Sequence, residues 1–129
     1  MRSGVEKRAV SVVHEYTSVR QAARKLLQSS GFNVDTFASV EGFLESGRVD
    51  RTACLVVDVE MPFEDGLLLQ GYFACTGRRF PVIFVTASPY QNVRERAVQA
   101  GATDLMHAAN GAQALLDCIG SILSLKETL

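Results

Sequence analysis

Four side chains in this sequence combine a reactive type with a telling position. His14 and Glu15 follow the apolar run from Ala9 to Val13, Asp58 stands near the end of a run that begins at Cys54, and Thr86 stands near the end of another that begins at Pro81. A carboxylate at such a place can act as a nucleophile or hold a hard cation, a second carboxylate adds oxygen ligands, and a hydroxyl donates a hydrogen bond. His14 brings an imidazole, which is a ligand or acceptor when neutral and a cation when protonated. Each group sits where an apolar segment meets the surface, so its chemistry depends on whether the chain gathers those ends together.

The spacing of apolar residues says that it does. Five short apolar runs alternate with five longer segments of helical period, with no linker or low-complexity stretch between them, which is a repeating βα pattern. Strands are predicted at Ala9 to Val13, Asn33 to Ala38, Cys54 to Val59, Pro81 to Ala87 and Thr103 to Ala108. The third and fourth are almost continuously apolar, as strands covered on both faces must be, and Pro81 is tolerated because it opens its strand. Val19, Ala22, Ala23, Leu26 and Leu27 share one face of a first helix that Gly31 ends, and Ala112, Leu115, Leu116, Ile119 and Ile122 do the same in the last. Ser88 with Pro89 and Gln91 reads as a capping box, Asn110 with Gln113 as a looser one, and Asp65 as the cap of the third helix. Alternating strands and helices imply a parallel sheet with helices on both faces, and function then gathers at the carboxyl ends of the strands. His14, Glu15, Asp58, Thr86 and Ala108 are the residues expected there.

Composition narrows the classes further. At 129 residues the chain suits one domain, residues 1–129 with a core over about 9–123, and a chain of this size buries roughly two thirds of its unfolded surface. The polar amino end is unlike a signal peptide, and no apolar run approaches the ~20 residues of a membrane span. Cys54, Cys75 and Cys118 lack the spacing of a metal site or a disulfide framework, so reduced thiols in a cytoplasmic protein are expected. A net charge of −1, with no basic block beyond pairs such as Arg78 and Arg79, argues against direct nucleic-acid binding.

With these residues in view, the sequence resembles the receiver domain of bacterial two-component response regulators, in particular the FixJ-like branch, from about Ala9 to Leu123. The most specific pieces are CLVVDVEMP, with Asp58 in the phosphoacceptor slot before the Met61–Pro62 turn, and VIFVTA, with Thr86 in the switch-hydroxyl slot. GFNVDTFASVEGFL and AVQAGATDL are similar to family segments as well. The resemblance implies a doubly wound, flavodoxin-like α/β fold with five parallel strands in the order 2-1-3-4-5. It implies a signalling module rather than a metabolic enzyme, with Asp58 taking a phosphoryl group from a histidine kinase or phosphotransfer protein. It also implies Mg²⁺ held by Glu15, Asp58 and the backbone carbonyl of Glu60.

Several positions depart from the family pattern. Glu15 is one methylene longer than the usual Asp, and His14 fills the other acidic slot. Ala108 and Ala109 replace the Lys-Pro pair, and Leu105 stands in the aromatic switch slot. Mg²⁺ prefers oxygen, so the site is expected to be weak and phosphorylation slow. A protonated His14 would instead place a cation where the metal sits; His14, Glu15 and Asp58 together would alternatively suit a transition metal. His107, one residue before Ala108, is expected to face away from Asp58.

Two further readings stand beside phosphorelay signalling. One is a phosphorylation-independent pseudo-receiver that acts as an interaction or dimerisation module. In the third helix the resemblance implies that Leu67, Leu69 and Phe73 turn inward, while Leu68, Tyr72 and Cys75 form a second apolar row at i, i+4, i+7 that suits a partner or a second copy. The other, a flavodoxin-like enzyme, lacks a Gly-rich phosphate loop after the first strand. A stand-alone receiver and the receiver of a longer regulator with a DNA-binding output domain are both compatible with the sequence.

Overall fold

A computed structural model describes residues 8–58, 62–86, 104–107 and 111–128, with side chains described for 8–57, 67–85 and 111–124. Five parallel strands form one sheet in the order β2-β1-β3-β4-β5. They are β1 (Ala9–Val13), β2 (Asn33–Phe37), β3 (Thr52–Asp58), β4 (Val82–Thr86) and β5 (Asp104–His107), each within two residues of the predicted limits. Helices α1 (Thr17–Ser29), α2 (Val40–Glu45), α3 (Pro62–Thr76) and α4 (Gly111–Thr128) are described between and after them. The capping boxes at Ser88 and Asn110 lie outside the described residues.

Alternation along the buried strands splits the core in two. Val13, Leu55, Val57, Val82 and Phe84 pack with Val40, Phe43, Leu69 and Phe73 from α2 and α3. Val10, Val12, Cys54, Val56 and Ile83 pack on the other face with Leu27 of α1 and Ile119 of α4. All three residues from Val82 to Phe84 are buried, which is why β4 reads as an unbroken apolar run rather than an alternating one. α1 ends as Gly31 requires: its φ of 94° is glycine territory, and Phe32 N–H reaches the Leu27 carbonyl at 3.1 Å while Gly31 N–H reaches Gln28 at 3.0 Å.

Three helix readings need correction. Asp65 lies inside α3, which begins at Pro62, so it does not cap it. Leu67 is 50% exposed, whereas Leu69 and Phe73 are buried. Two residues along a helix are about 200° apart, so Leu67 cannot share the inward face of Leu69, while Phe73, four residues on from Leu69, does. Val19 and Ala22 remain at the surface of α1, and Ala112 at the surface of α4, leaving Ala23 and Leu27 and the row Leu115, Leu116, Ile119 and Ile122 to meet the sheet. Cys54 is buried, Cys118 half-buried and Cys75 exposed, and none is in a disulfide.

One polar group is built into the α2 side. Asp35 of β2, buried, faces Arg48 at 3.0 Å and Arg51 at 3.1 Å from the turn before β3. The Arg48 contact is an aligned hydrogen bond; the Arg51 contact is an ion pair whose N–H misses the line to the oxygen. Ser11 and Thr52, both buried, share a hydrogen bond of 2.8 Å nearby. An inward charge on β2, the sheet's edge strand, also discourages pairing with another chain.

Candidate functional site

The strand order puts β3 in the middle, with β1 and β4 hydrogen-bonded on either side. Register then fixes what meets at the carboxyl edge. Val13 pairs with Val57, so His14 follows β1 beside the position of Asp58, which pairs with Val85 one residue before Thr86. Thr86 pairs in turn with His107 of β5. Neighbouring strands lie about 4.8 Å apart, so His14, Asp58 and Thr86 occupy adjacent strand ends, as the spacing in the sequence implied. β1 connects to β2 on one side and pairs with β3 on the other, which makes this edge the topological switch point where ligands of such sheets bind.

The loop after β1 is pinned at several points. His14 N–H donates to the Phe37 carbonyl at 3.1 Å, extending the β1–β2 ladder by one bond. The His14 carbonyl accepts from Arg20 Nη1 at 2.6 Å, while Arg20 Nη2 reaches Thr17 Oγ1 at 2.9 Å. Tyr16 N–H donates to His14 Nδ1 at 3.0 Å, and the two rings lie 5.4 Å apart. Glu15, between these anchored residues, is exposed. Its carboxylate is the kind of oxygen donor a hard cation takes, whereas the His14 Nδ1 lone pair is already engaged. Among the described residues no three His, Cys, Asp or Glu side chains group as a metal site. Sequence reasoning missed Arg20 and the Tyr16 turn; the signals were an imidazole two residues before a helix-leading amide and an Arg one turn into that helix.

Asp58, Thr86 and Leu105 are fixed here as strand positions, while Glu60, Ala108 and Ala109 lie outside the described residues. On α3, Leu68 is 46% exposed and Cys75 is exposed, but Tyr72 is half-buried against Phe73 and Phe80, with ring centroids 6.4 and 6.5 Å away. Tyr72 lies three residues from buried Leu69 and leans to the core with it. The Arg78 guanidinium is held above its ordinary value, first by a hydrogen bond with the Tyr72 hydroxyl and then by the charge of Asp50, with which it pairs.

The arrangement is thus a parallel sheet in the order 2-1-3-4-5 with an acidic residue closing its central strand and acidic and hydroxyl residues at the adjoining strand ends. The chain belongs to the response regulator receiver domain family, whose model matches residues 10–119. It is 33% identical over 120 residues to the transcriptional regulatory protein TdiR of Thauera aromatica, covering 93% of this chain and 53% of TdiR. It is 32% identical to the transcriptional regulatory protein FixJ of Azorhizobium caulinodans, over 78% of this chain and 48% of FixJ. A crystal structure of a response regulator receiver protein from Burkholderia phymatum superimposes with a TM-score of 0.75 at 33% identity, covering 92% of this chain and 96% of that one. The chain thus spans about half the length of the curated relatives it matches. No described helix is long and apolar enough to cross a membrane.

Proposed function

We propose that this receiver takes a phosphoryl group on Asp58 from a histidine kinase or phosphotransfer protein, through a site weakened by His14, Ala108 and Ala109. The observation that carries the reading is the place of Asp58 at the end of the central strand, between the loop holding Glu15 and the strand ending in Thr86. In the transfer, an Asp58 carboxylate oxygen attacks the phosphorus of a phosphohistidine, the N–P bond breaks as the O–P bond forms, and the leaving imidazole nitrogen keeps the electron pair. Mg²⁺, when bound, supplies positive charge to the transferring group; Glu15, Asp58 and the Glu60 carbonyl are the ligands this chain offers. Thr86 is the hydroxyl for a phosphoryl oxygen, and no Lys at position 108 balances the added charge. TdiR and FixJ are transcriptional regulatory proteins of about twice this length, which supports a DNA-binding output half as the companion of this domain in a longer chain.

Incubation with acetyl phosphate and Mg²⁺ followed by intact mass tests the reading. A slow gain of one phosphoryl group, abolished in Asp58→Asn, is expected; no gain at any Mg²⁺ concentration overturns it. A second reading, a phosphorylation-independent interaction module, is favoured by the exposed Leu67 and Leu68 on α3. It predicts self-association or partner docking that Asp58→Asn leaves unchanged.

A further inference from the structure

We infer that His14 is a positioning residue: its imidazole keeps the turn-forming role that a carboxylate would have at this place while giving up the charge, and so presents Glu15 without itself ligating a cation. The functional consequence rests on the receiver reading above; the geometry does not. A backbone N–H can only donate, so the 3.0 Å contact from Tyr16 N–H makes His14 Nδ1 the acceptor, and the hydrogen of the neutral ring sits on Nε2. Asp and Asn side chains make the same bond to the amide two residues on, the Asx turn, and here an imidazole nitrogen stands in for the carboxylate oxygen.

Two more bonds converge on the same residue, from its amide to Phe37 and from Arg20 to its carbonyl. His14 is therefore anchored through amide, carbonyl and ring, and Tyr16 is tied to it, which leaves Glu15 only a short bonded arc on which to sit. That arc holds an exposed carboxylate in the loop leaving β1, the strand paired with β3, without requiring the side chain to order it. Ligation through His14 Nδ1 would break the Tyr16 turn, and ligation through Nε2 would need the opposite tautomer, with the same result. The structure thus counts against the transition-metal site considered from sequence.

Nuclear magnetic resonance on the parent chain tests this directly, with His107→Gln assigning the ring signals. Long-range proton–nitrogen spectra are expected to show Nδ1 unprotonated and Nε2 protonated, with the Tyr16 amide slow to exchange. His14→Asn keeps an acceptor for Tyr16, whereas His14→Leu keeps bulk without one. The Tyr16 amide should stay protected in the first and exchange about five-fold faster in the second, on the scale of one neutral hydrogen bond. Mg²⁺ titration should give His14→Asn an affinity near the parent's and His14→Leu one several-fold weaker, with thermal melts confirming that both fold.

A proton on Nδ1, or Zn²⁺ shifting the His14 ring signals at stoichiometric metal, overturns the inference. So do equal Tyr16 exchange rates, or equal Mg²⁺ affinities, in the two variants. If the parent binds no Mg²⁺ and gains no phosphoryl group, the receiver chemistry fails while the tautomer and exchange results still decide the turn.

Discussion

Removing the Asp35 carboxylate should cost this domain about 3 kcal/mol, and the two arginines should share that cost unequally. A sheltered hydrogen bond to a charged group contributes roughly 1.5–3 kcal/mol. The Arg51 contact is an ion pair at 3.1 Å rather than an aligned hydrogen bond, and with both facing atoms out of water its net attraction is about 1.5 kcal/mol. Arg48 is aligned at 3.0 Å, yet its side chain is 56% exposed, so water and salt reduce its share to about 0.5 kcal/mol. Asp35→Ala also leaves the Arg51 Nε, which is buried, without its partner, adding about 1 kcal/mol. Arg51→Ala should therefore cost about 2.5 kcal/mol and Arg48→Ala about 0.5, because the first strands a buried carboxylate oxygen and the second removes a donor that water replaces. In urea, with a slope of about 1.5 kcal/mol/M for a chain of this size, the Asp35→Ala midpoint should fall by about 2 M. Asp35→Ala and Arg51→Ala together should cost far less than the separate values suggest, since they remove one pair. If Arg48→Ala destabilises as much as Arg51→Ala, or Asp35→Ala costs under 1 kcal/mol, then burial does not set the strength of this network.

The other predictions concern the site and α3. His14→Asp with Ala108→Lys should raise the rate of acetyl-phosphate modification at Asp58, on the order of 10²-fold by analogy with restoring one preorganised donor, and the two changes should be non-additive; a parent that reacts as fast as the double variant shows that both residues are tolerated variations. With Leu105 unchanged, amide shifts around β5 should respond little to that phosphorylation. Mg²⁺ binding, followed by calorimetry, should be weak and lost in Glu15→Gln; tight binding that survives this change removes Glu15 from the site. On α3, Leu68→Glu should weaken any self-association seen by sedimentation while the melting temperature holds, whereas Tyr72→Glu should cost about 2 kcal/mol of stability because that ring packs on Phe73 and Phe80. Equal stability losses from both would contradict the exposures.

Five runs of apolar residues, their spacing, and the polar residues at the ends of three of them were enough in the sequence to give a parallel sheet and to nominate His14, Glu15, Asp58 and Thr86. Local physics carries that far, because strand period, helix period and a glycine at φ 94° are properties of neighbours in the chain. Leu67 was misjudged because family analogy overrode the 100° step that the same sequence displays. Tyr72 could not be placed on its helix alone: Phe80, which holds its ring, arrives from the segment that leads to β4. Asp35 gave no sign of its role, since its partners lie 13 and 16 residues away and meet it only when the turn before β3 closes under the sheet edge. The same holds at His14. Its type was legible, but which nitrogen is the acceptor depends on one amide, one arginine and the neighbouring strand coming together, and only the folded chain brings them there.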